Sequence, residues 1–469
     1  MRICLIAEGC YPYVAGGVSA WIQMLLEGMS EHEFIIYTIG AESKMRGQYK
    51  YKIPSNVIKI EEHFLDEYFA LTTRKKGKKV KITKSEQKAL NSLVSGTDIE
   101  WEVLFDLFCG NDKWSAIDFL MSNSYLDAIN LVAQEKYSQI SFLDVFWTIR
   151  SMLLPLLSII SSDIVEADIY HSVSTGYAGI IGSLMKHKTG KPFIVTEHGI
   201  YTREREEEIL KAKWVDVYFK QLWIDFFSSM SLIAYSKADV VTALFSHARV
   251  LQNELGADYR KCRVIPNGIS IDKYKDVVPL SSKSDTFVIG AIVRVVPIKD
   301  IKTLIYSFDM VKAELPNAVL YIIGPADESE EYYQECQELI TNLGVKDVYF
   351  TGRVNVAEWM NKLDVVVLSS ISEGQPFVLL EAMASHRPVV STDVGSCREL
   401  IEGNHDGLGD CGYVVPVMNP SAMAKALIRL GKNREQMIEF GRIGAIRVQQ
   451  YYTIEMFLNT YKELYKEVG

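Results

Sequence analysis

Residues 364–384, DVVVLSSISEGQPFVLLEAMA, decide the fold. They open with a short apolar run typical of a buried strand and close with an apolar run typical of a helix. Glu373, Gly374 and Pro376 lie between the two, and proline suits the first turn of a helix. A strand, a short loop and a helix in this order indicate a parallel α/β layer, which binds ligands at the carboxyl ends of its strands.

The start of this helix predicts an anion site. The backbone N–H groups of Phe377, Val378 and Leu379 point out of the first turn, and together with the helix dipole they suit a diphosphate. Glu373, in the loop before the helix, would face whatever the diphosphate carries. Glu381, on the helix itself, can accept hydrogen bonds from two ribose hydroxyls. The alternative is a capping glutamate plus a surface glutamate, but the strand, glycine, proline and apolar helix around them favour the ligand site.

The same alternation of strand and helix runs through most of the chain. Twelve apolar segments are interpreted as buried strands: RICLIAE (2–8), EFIIYTIG (33–40), ADIYHSV (167–173), PFIVTEHG (192–199), ADVVTAL (238–244), CRVIPNG (262–268), TFVIGAIV (286–293), AVLYIIG (318–324), DVYFTG (347–352), DVVVLSS (364–370), RPVVSTD (387–393) and CGYVVPV (411–417). A polar, proline-containing linker covers 275–284. We therefore expect two Rossmann-like domains, at 1–275 and 285–432, and C-terminal helices at 433–469 that pack back toward the first domain.

Residues 60–162 do not follow this alternation of strands and helices. They predict a helical insertion in the first domain, because segments such as WEVLFDLF have helical periodicity. Within the insertion, residues 140–160 are the most membrane-like stretch. Asp144, Arg150 and Pro155 interrupt it, whereas a spanning helix needs about 20 mostly apolar residues. We expect a buried helix pair here, and a membrane-surface element is the alternative.

Composition and charge exclude some classes of protein. The 469 residues are 48% hydrophobic, which is enough for two or three domains. Because the net charge is −9, any anionic ligand must be held by a local site, and no nucleic-acid partner is expected. Residues 74–84, RKKGKKVKITK, hold seven cations and are either a solvated loop or a contact with an anionic partner or lipid surface. Seven scattered cysteines, with no C-x-x-C pair and no secretory signal, predict a cytoplasmic protein.

Three further groups of residues follow predicted strands. Arg294 and Lys299 can hold a diphosphate and stabilise its charge as it leaves, which is the role that a divalent metal ion would otherwise have. Gly16 and Gly17 let the backbone approach a ligand closely. His198 can orient a sugar hydroxyl. The alternatives are an exposed loop pair, a tight turn and a structural histidine; with no metal-ligand motif evident, we expect neither a metal nor another cofactor.

Taken together, these features resemble the retaining GT-B glycosyltransferases of family GT4. The resemblance is carried by Gly16, Gly17, His198, Arg294, Lys299, Gly324, Gly352, Glu373 and Glu381. It implies the GT-B fold, with two Rossmann-like domains facing a central cleft. It further implies that residues 1–275 serve the acceptor and that residues 285–432 bind a nucleotide sugar without a metal.

The resemblance also implies roles for single residues. His198 would contact the donor sugar, Arg294 and Lys299 the phosphates, and Glu373 and Glu381 the sugar and ribose hydroxyls respectively. Arg353 and Val354 would lie near the base, and Gly324 and Gly374 would line the donor pocket. The chain departs from the family at Gln375, where an aromatic residue is frequent, and at His386, where a glycine is common.

A closer likeness is to the PelF-type glycosyltransferases of Pel exopolysaccharide synthesis. It rests on the insertion and on residues 8–23 and 170–209. This likeness implies a UDP-sugar donor, either UDP-glucose or a UDP-N-acetylhexosamine, and a saccharide acceptor of a biofilm polysaccharide. It also implies recruitment to an inner-membrane polysaccharide synthase complex. Two other functions stay open: a nucleotide-sugar epimerase of similar fold, and a non-catalytic nucleotide-binding scaffold subunit.

Overall fold

The computed structural model describes residues 1–70, 82–109, 114–281 and 285–469 and divides into two units. The first unit comprises Met1–Ala243, Ala248–Val264 and Tyr461–Gly469, and the second comprises Leu244–His247 and Ile265–Thr460. The division therefore lies before the predicted end of the first domain at residue 275. Of the region 433–469, where the C-terminal helices were predicted, only Tyr461–Gly469 are grouped with the first unit. Within that unit, the hydroxyl of Tyr465 hydrogen bonds to Nδ1 of His171 at 2.7 Å.

The first unit is built on a seven-stranded parallel sheet. Its strands are β1 (Arg2–Glu8), β2 (Glu33–Gly40), β3 (Val57–Phe64), β4 (Ile169–Ser172), β5 (Phe193–Glu197), β6 (Val240–Ala243) and β7 (Cys262–Val264), in the order β3-β2-β1-β4-β5-β6-β7. The six strands predicted for the first domain correspond to β1, β2 and β4 to β7, and all are confirmed. β3 was not predicted, because this edge strand is half exposed and carries charged residues where a central strand has an unbroken apolar run.

The second unit is built on a six-stranded parallel sheet. Its strands are β8 (Phe287–Ile292), β9 (Ala318–Ile323), β10 (Val348–Gly352), β11 (Val365–Leu368), β12 (Val389–Thr392) and β13 (Gly412–Val415), in the order β10-β9-β8-β11-β12-β13. Each of these strands was predicted. Both sheets have the parallel, doubly wound pattern of a Rossmann-like layer.

Helices alternate with the strands along the chain. In the described residues they are α1 (Gly17–Gly28), α2 (Leu65–Ala70), α3 (Lys84–Ser95), α4 (Trp101–Phe108), α5 (Ala116–Leu120), α6 (Asn123–Lys136), α7 (Phe142–Ile160), α8 (Tyr177–Thr189), α9 (Tyr201–Lys211), α10 (Lys220–Lys237), α11 (Ser246–Glu254), α12 (Ile301–Glu314), α13 (Glu330–Leu343), α14 (Val356–Met360), α15 (Phe377–Ala384), α16 (Cys397–Glu402), α17 (Pro420–Gly431), α18 (Arg434–Tyr451) and α19 (Ile454–Val468). The described residues of the insertion form helices α2 to α7, as predicted, but the insertion begins after β3 and therefore later than residue 60.

The predicted helix pair at 140–160 is wrong, because α7 continues through Pro155 as one helix. Proline inside a helix costs about 3 kcal/mol. Burial of each large aliphatic side chain returns about 1.5–3 kcal/mol, and α7 buries several, including Ile149, Leu153 and Leu157. Within the described part of the chain, α7 is the one helix long and apolar enough to cross a membrane. However, 61% of its most apolar stretch is buried, as in the core helix of a globular protein.

Three predicted segments fall partly outside the described residues. They are the insertion, at residues 71–81 and 110–113, the basic run, at residues 74–81, and the linker, at residues 282–284. The end of the basic run is described: Thr83 caps α3, and its side chain accepts a hydrogen bond from the backbone N–H of Glu86.

Candidate functional site

In the second unit, the strand order reverses between β8 and β11, so the loops that follow these two strands lead to opposite sides of the sheet. Ligands of parallel α/β sheets bind in the crevice at such a point. Two hydrogen bonds tie the loops together: the Ile371 amide donates to the Ile298 carbonyl at 2.9 Å, and the Ser369 hydroxyl donates to the Lys299 carbonyl at 2.8 Å. The two most specific sequence signals therefore meet at one place.

Lys299 and Glu373 form an ion pair in this crevice. Nζ of Lys299 lies 2.5 Å from Oε1 of Glu373, and the side chains are only 16% and 12% exposed. The hydroxyl of Ser370 donates to the same carboxylate oxygen at 2.5 Å. An ammonium group has three donors and a carboxylate two oxygens. Lys299 can therefore bind a phosphate oxygen and Glu373 a hydroxyl while the pair stays intact.

Arg294 lies on the loop after β8 and is more exposed. Its guanidinium pairs with Glu328 at 2.5 Å, and the two side chains are 48% and 41% exposed. Gly324 has φ 143°, and a Cβ there would lie 2.1 Å from the Val293 carbonyl oxygen. Only glycine fits this close approach beside Arg294. Close packing against Val293 therefore explains the glycine at position 324, and its place in a donor pocket stays a prediction.

Arg353 follows β10, whose last residue bonds to the end of β9. The Gly352 carbonyl accepts a hydrogen bond from the Gly324 amide at 3.0 Å. The Arg353 side chain lies 3.6 Å from Asp327, and both are largely exposed. Val354 packs partly buried against the core of the unit. The residues predicted near the base thus follow a strand at the same carboxyl edge as Arg294.

Helix α15 begins at Phe377, so Pro376 precedes the helix and does not lie in its first turn. The Leu379 amide donates to the Pro376 carbonyl at 3.2 Å. The prediction of three free amides is therefore wrong for Leu379. Phe377 and Val378 are the first two residues of the helix, where the amide groups have no carbonyl one turn back. These two amides remain able to bind an anion.

Gln375 holds the loop before α15. Its side-chain oxygen accepts a hydrogen bond from the Asn267 amide at 2.5 Å, and the Gly374 carbonyl accepts one from the Ser396 amide at 2.9 Å. A Cβ at Gly395 would lie 2.2 Å from the Gly374 oxygen. The departure from the family at Gln375 therefore has a structural role, and the loop is fixed from both sides.

Glu381 lies one turn into α15 and is partly buried. Burial raises the pKa of its carboxyl, while a hydrogen bond with Tyr274 and the charge of Lys273 act against this rise. Tyr274 was missed by sequence reasoning, because it lies in a short 3-10 helix far earlier in the chain with no local signal. This hydrogen bond orients the carboxylate predicted to bind ribose.

His386, the other departure, adopts the left-handed conformation that favours glycine, with φ 55°. The neighbouring Arg387 is buried, and its guanidinium donates to three backbone carbonyls, those of Met360, Ser385 and Val278. Burial lowers the pKa of Arg387 to about 10. Both residues support the fold of the turn after α15.

In the first unit, the strand order reverses between β1 and β4. Glu8, at the end of β1, accepts hydrogen bonds from the Ala178 amide at 3.0 Å, the Ser174 hydroxyl at 3.2 Å and the Tyr201 hydroxyl at 3.3 Å. Burial raises its pKa. The sequence analysis did not identify Glu8 as a site residue, although a charged residue at the end of a buried strand is a signal for such a role.

His198 and the glycines lie near the start of α1. The His198 ring packs edge to face on Trp21 of α1, with centroids 4.8 Å apart. Its Nε2 is buried and has no hydrogen-bond partner among the described residues. Burial lowers its pKa to about 3, so the ring is neutral near pH 7. A Cβ at Gly16 or Gly17 would touch nothing within 4 Å, so no packing inside the described structure requires glycine there.

Two family models match the chain. One, described as a domain of unknown function (DUF3492), matches residues 1–260, which is more than half of the chain. The chain belongs to the DUF3492 family. The other model, described as glycosyl transferases group 1, matches residues 285–433, which all lie in the second unit of this DUF3492 chain. No group of three or more His, Cys, Asp or Glu side chains in the described ranges is arranged to hold a metal ion.

Several known proteins are similar to this DUF3492 chain. MMP alpha-(1->4)-mannosyltransferase of Mycolicibacterium hassiacum is 21% identical over 58% of the chain, which spans just under two thirds (64%) of that protein's length. UDP-Gal:alpha-D-GlcNAc-diphosphoundecaprenol alpha-1,3-galactosyltransferase of Escherichia coli is 24% identical over 70% of the chain and 86% of its own length. HepE of Anabaena, solved in complex with UDP and glucose, is 16% identical over the whole of both chains, with a TM-score of 0.62. The GT-B fold is therefore confirmed.

Proposed function

We propose that this protein is a retaining glycosyltransferase that moves a hexosyl unit from a UDP-sugar to a growing exopolysaccharide of Pel type, without a divalent metal. The observation that carries the proposal is the Lys299–Glu373 ion pair at the strand reversal of the second sheet. It puts a cation for phosphate and a carboxylate for sugar hydroxyls side by side. The UDP and glucose bound to HepE support a UDP-sugar donor.

Lys299, Arg294 and the first amides of α15 hold the diphosphate in this proposal. The bond between the anomeric carbon and the phosphate oxygen breaks, and the charge that develops on the leaving diphosphate is stabilised by these fixed donors. Glu381 binds the ribose, and Arg353 and Val354 lie near the base.

Glu373 orients the sugar, and the family resemblance implies the same role for His198. The carboxylate accepts hydrogen bonds from sugar hydroxyls, and a neutral imidazole can share one hydrogen bond with a further hydroxyl through Nε2. The acceptor hydroxyl attacks the anomeric carbon from the face that the diphosphate leaves, and its proton passes to the departing phosphate oxygen. The anomeric configuration is thereby retained.

We also propose that the protein works in the cytoplasm and is recruited to the inner face of the membrane by a polysaccharide synthase complex. The Pel likeness and the cations at residues 74–84 support this. Each cation that reaches an anionic surface contributes about 1 kcal/mol.

Titration calorimetry with UDP-, GDP- and ADP-sugars tests the donor class, with the same protein assayed for sugar transfer. The proposal expects selective binding of a UDP-sugar and transfer to an added saccharide. Sugar inversion without transfer would identify an epimerase. Binding with neither transfer nor hydrolysis would identify a scaffold subunit.

A further inference from the structure

A cavity of about 550 Å³ lies in the first unit, between the N-terminal part of α7 and the segment that leads into α10. None of the residues that line it belongs to the candidate site. Its walls carry Trp147, Trp214, Tyr218 and Trp223 together with the carboxylates Asp144 and Asp216.

One wall is a single face of α7. Asp144, Trp147, Thr148 and Ser151 follow the spacing i, i+3, i+4, i+7, which places them in one row along a helix. The opposite face of α7 is buried in the core, so this row is free to present an aromatic ring, a carboxylate and two hydroxyls. The Ser151 hydroxyl donates to the Thr148 carbonyl at 2.7 Å, which leaves its oxygen able to accept.

Three of the aromatic rings are unusually exposed. Trp147, Trp214 and Tyr218 are 60%, 69% and 63% exposed, whereas Trp223 beneath them is buried. Trp223 packs edge to face on Trp214, with centroids 5.4 Å apart, and so fixes that ring. Large apolar groups grouped at an open surface mark an interaction site.

The charges around the cavity select the kind of ligand. Among the described residues that line it, two are acidic and none is basic. A phosphate, a nucleotide or an anionic lipid headgroup would be repelled by these carboxylates. The Tyr218 amide donates to Oδ1 of Asp216 at 3.0 Å, and the second oxygen stays available for a donor. The site therefore suits a ligand that has flat apolar faces and donates from hydroxyl groups.

We propose that this cavity binds a saccharide chain without acidic groups. The C–H face of a sugar ring stacks on an aromatic ring, and the hydroxyls at its edge donate to carboxylates and hydroxyl oxygens. Trp147, Trp214 and Tyr218 hold successive sugar rings, while Asp144 and Asp216 accept from their hydroxyls. The site is separate from the donor site and does not depend on the proposed reaction.

Isothermal titration calorimetry of the full chain with chitohexaose and with maltohexaose tests this proposal. We expect one of them to bind, and we expect Trp147→Ala and Trp214→Ala each to weaken that binding by about tenfold or more. Trp147→Phe, which keeps a ring, should recover most of the affinity. Leu143→Ala is the matched control, because Leu143 is an exposed apolar residue of the same helix that does not line the cavity. Far-UV circular dichroism spectra should be equal in all variants, which shows that each is folded.

Three outcomes would overturn the proposal. The first is an absence of oligosaccharide binding up to about 10 mM. The second is binding that the tryptophan substitutions leave unchanged, because the saccharide would then sit elsewhere. The third is a loss, in the tryptophan variants alone, of cosedimentation with phosphatidylethanolamine–phosphatidylglycerol vesicles, which would make the surface a membrane contact.

Discussion

Replacing Lys299 by methionine removes one charge from the centre of the proposed donor site and keeps most of the side-chain volume. Lys299 is largely buried and held by Glu373 at 2.5 Å, so it acts as a preorganised donor that solvent screens little. Loss of such a donor costs about 2.7–4 kcal/mol, or about 10²–10³ in kcat. Arg294 is about half exposed, and an exposed charge is worth about 1 kcal/mol or less. Arg294→Met should therefore cost about fivefold or less.

The assay is the initial rate of UDP release from a UDP-sugar donor, with UDP affinity measured on the same preparations. Lys302→Met is the matched control, because Lys302 pairs with Glu335 at 2.7 Å on an exposed face of α12. Its rate should stay within about twofold of the parent, because this exposed ion pair lies outside the proposed donor site and contributes little. The reasoning fails if Arg294→Met loses as much activity as Lys299→Met, or if Lys302→Met loses as much as either.

Four further predictions follow from the same site. Glu381→Ala should weaken UDP binding while Glu373→Ala leaves it nearly intact and slows transfer; equal losses of UDP affinity in calorimetry would contradict this division. Burial lowers the pKa of His198 to about 3, so the free energy of unfolding should fall as the pH drops below about 6.5, by up to about 1.4 kcal/mol per pH unit. His198→Gln should show a shallower fall in denaturant melts, and a parallel curve would show that His198 is not the cause. Excess chelator should leave transfer by freshly purified protein unchanged, and loss of activity would mean that a metal is needed. Changing four lysines of the run at 74–84 to glutamine should reduce cofractionation with membranes but not activity in solution; a collapse of soluble activity would place the run at the acceptor site instead.

The strands were predictable because a parallel sheet buries both faces and leaves an unbroken apolar run in the sequence. The exception is β3, since an edge strand carries charges such as Glu61 and Glu62 and lacks that run. Likewise, Pro155 suggested a break in α7, but the burial around it outweighs one lost hydrogen bond.

Glu373 and Lys299 were predictable as residues that follow strands, since parallel strands end at one edge of the sheet. Their pairing was not predictable, because it depends on the strand order, which places β8 beside β11. Tyr274 and Asn267 escaped sequence reasoning for the same reason: each meets α15 or its loop only through the tertiary fold. The Leu379 amide was wrongly predicted to be free, because it donates to the Pro376 carbonyl in a tight turn that the sequence does not reveal.

The central claim is glycosyl transfer with retained configuration. Purified protein should be incubated with UDP-glucose or a UDP-N-acetylhexosamine and a saccharide acceptor while ¹H NMR follows the anomeric signals. The account predicts that UDP is released and that the new glycosidic bond has the same α configuration as the donor. A β-linked product would contradict the proposed front-face mechanism. A donor that stays intact, or one whose sugar is only epimerised, would contradict the assignment as a glycosyltransferase.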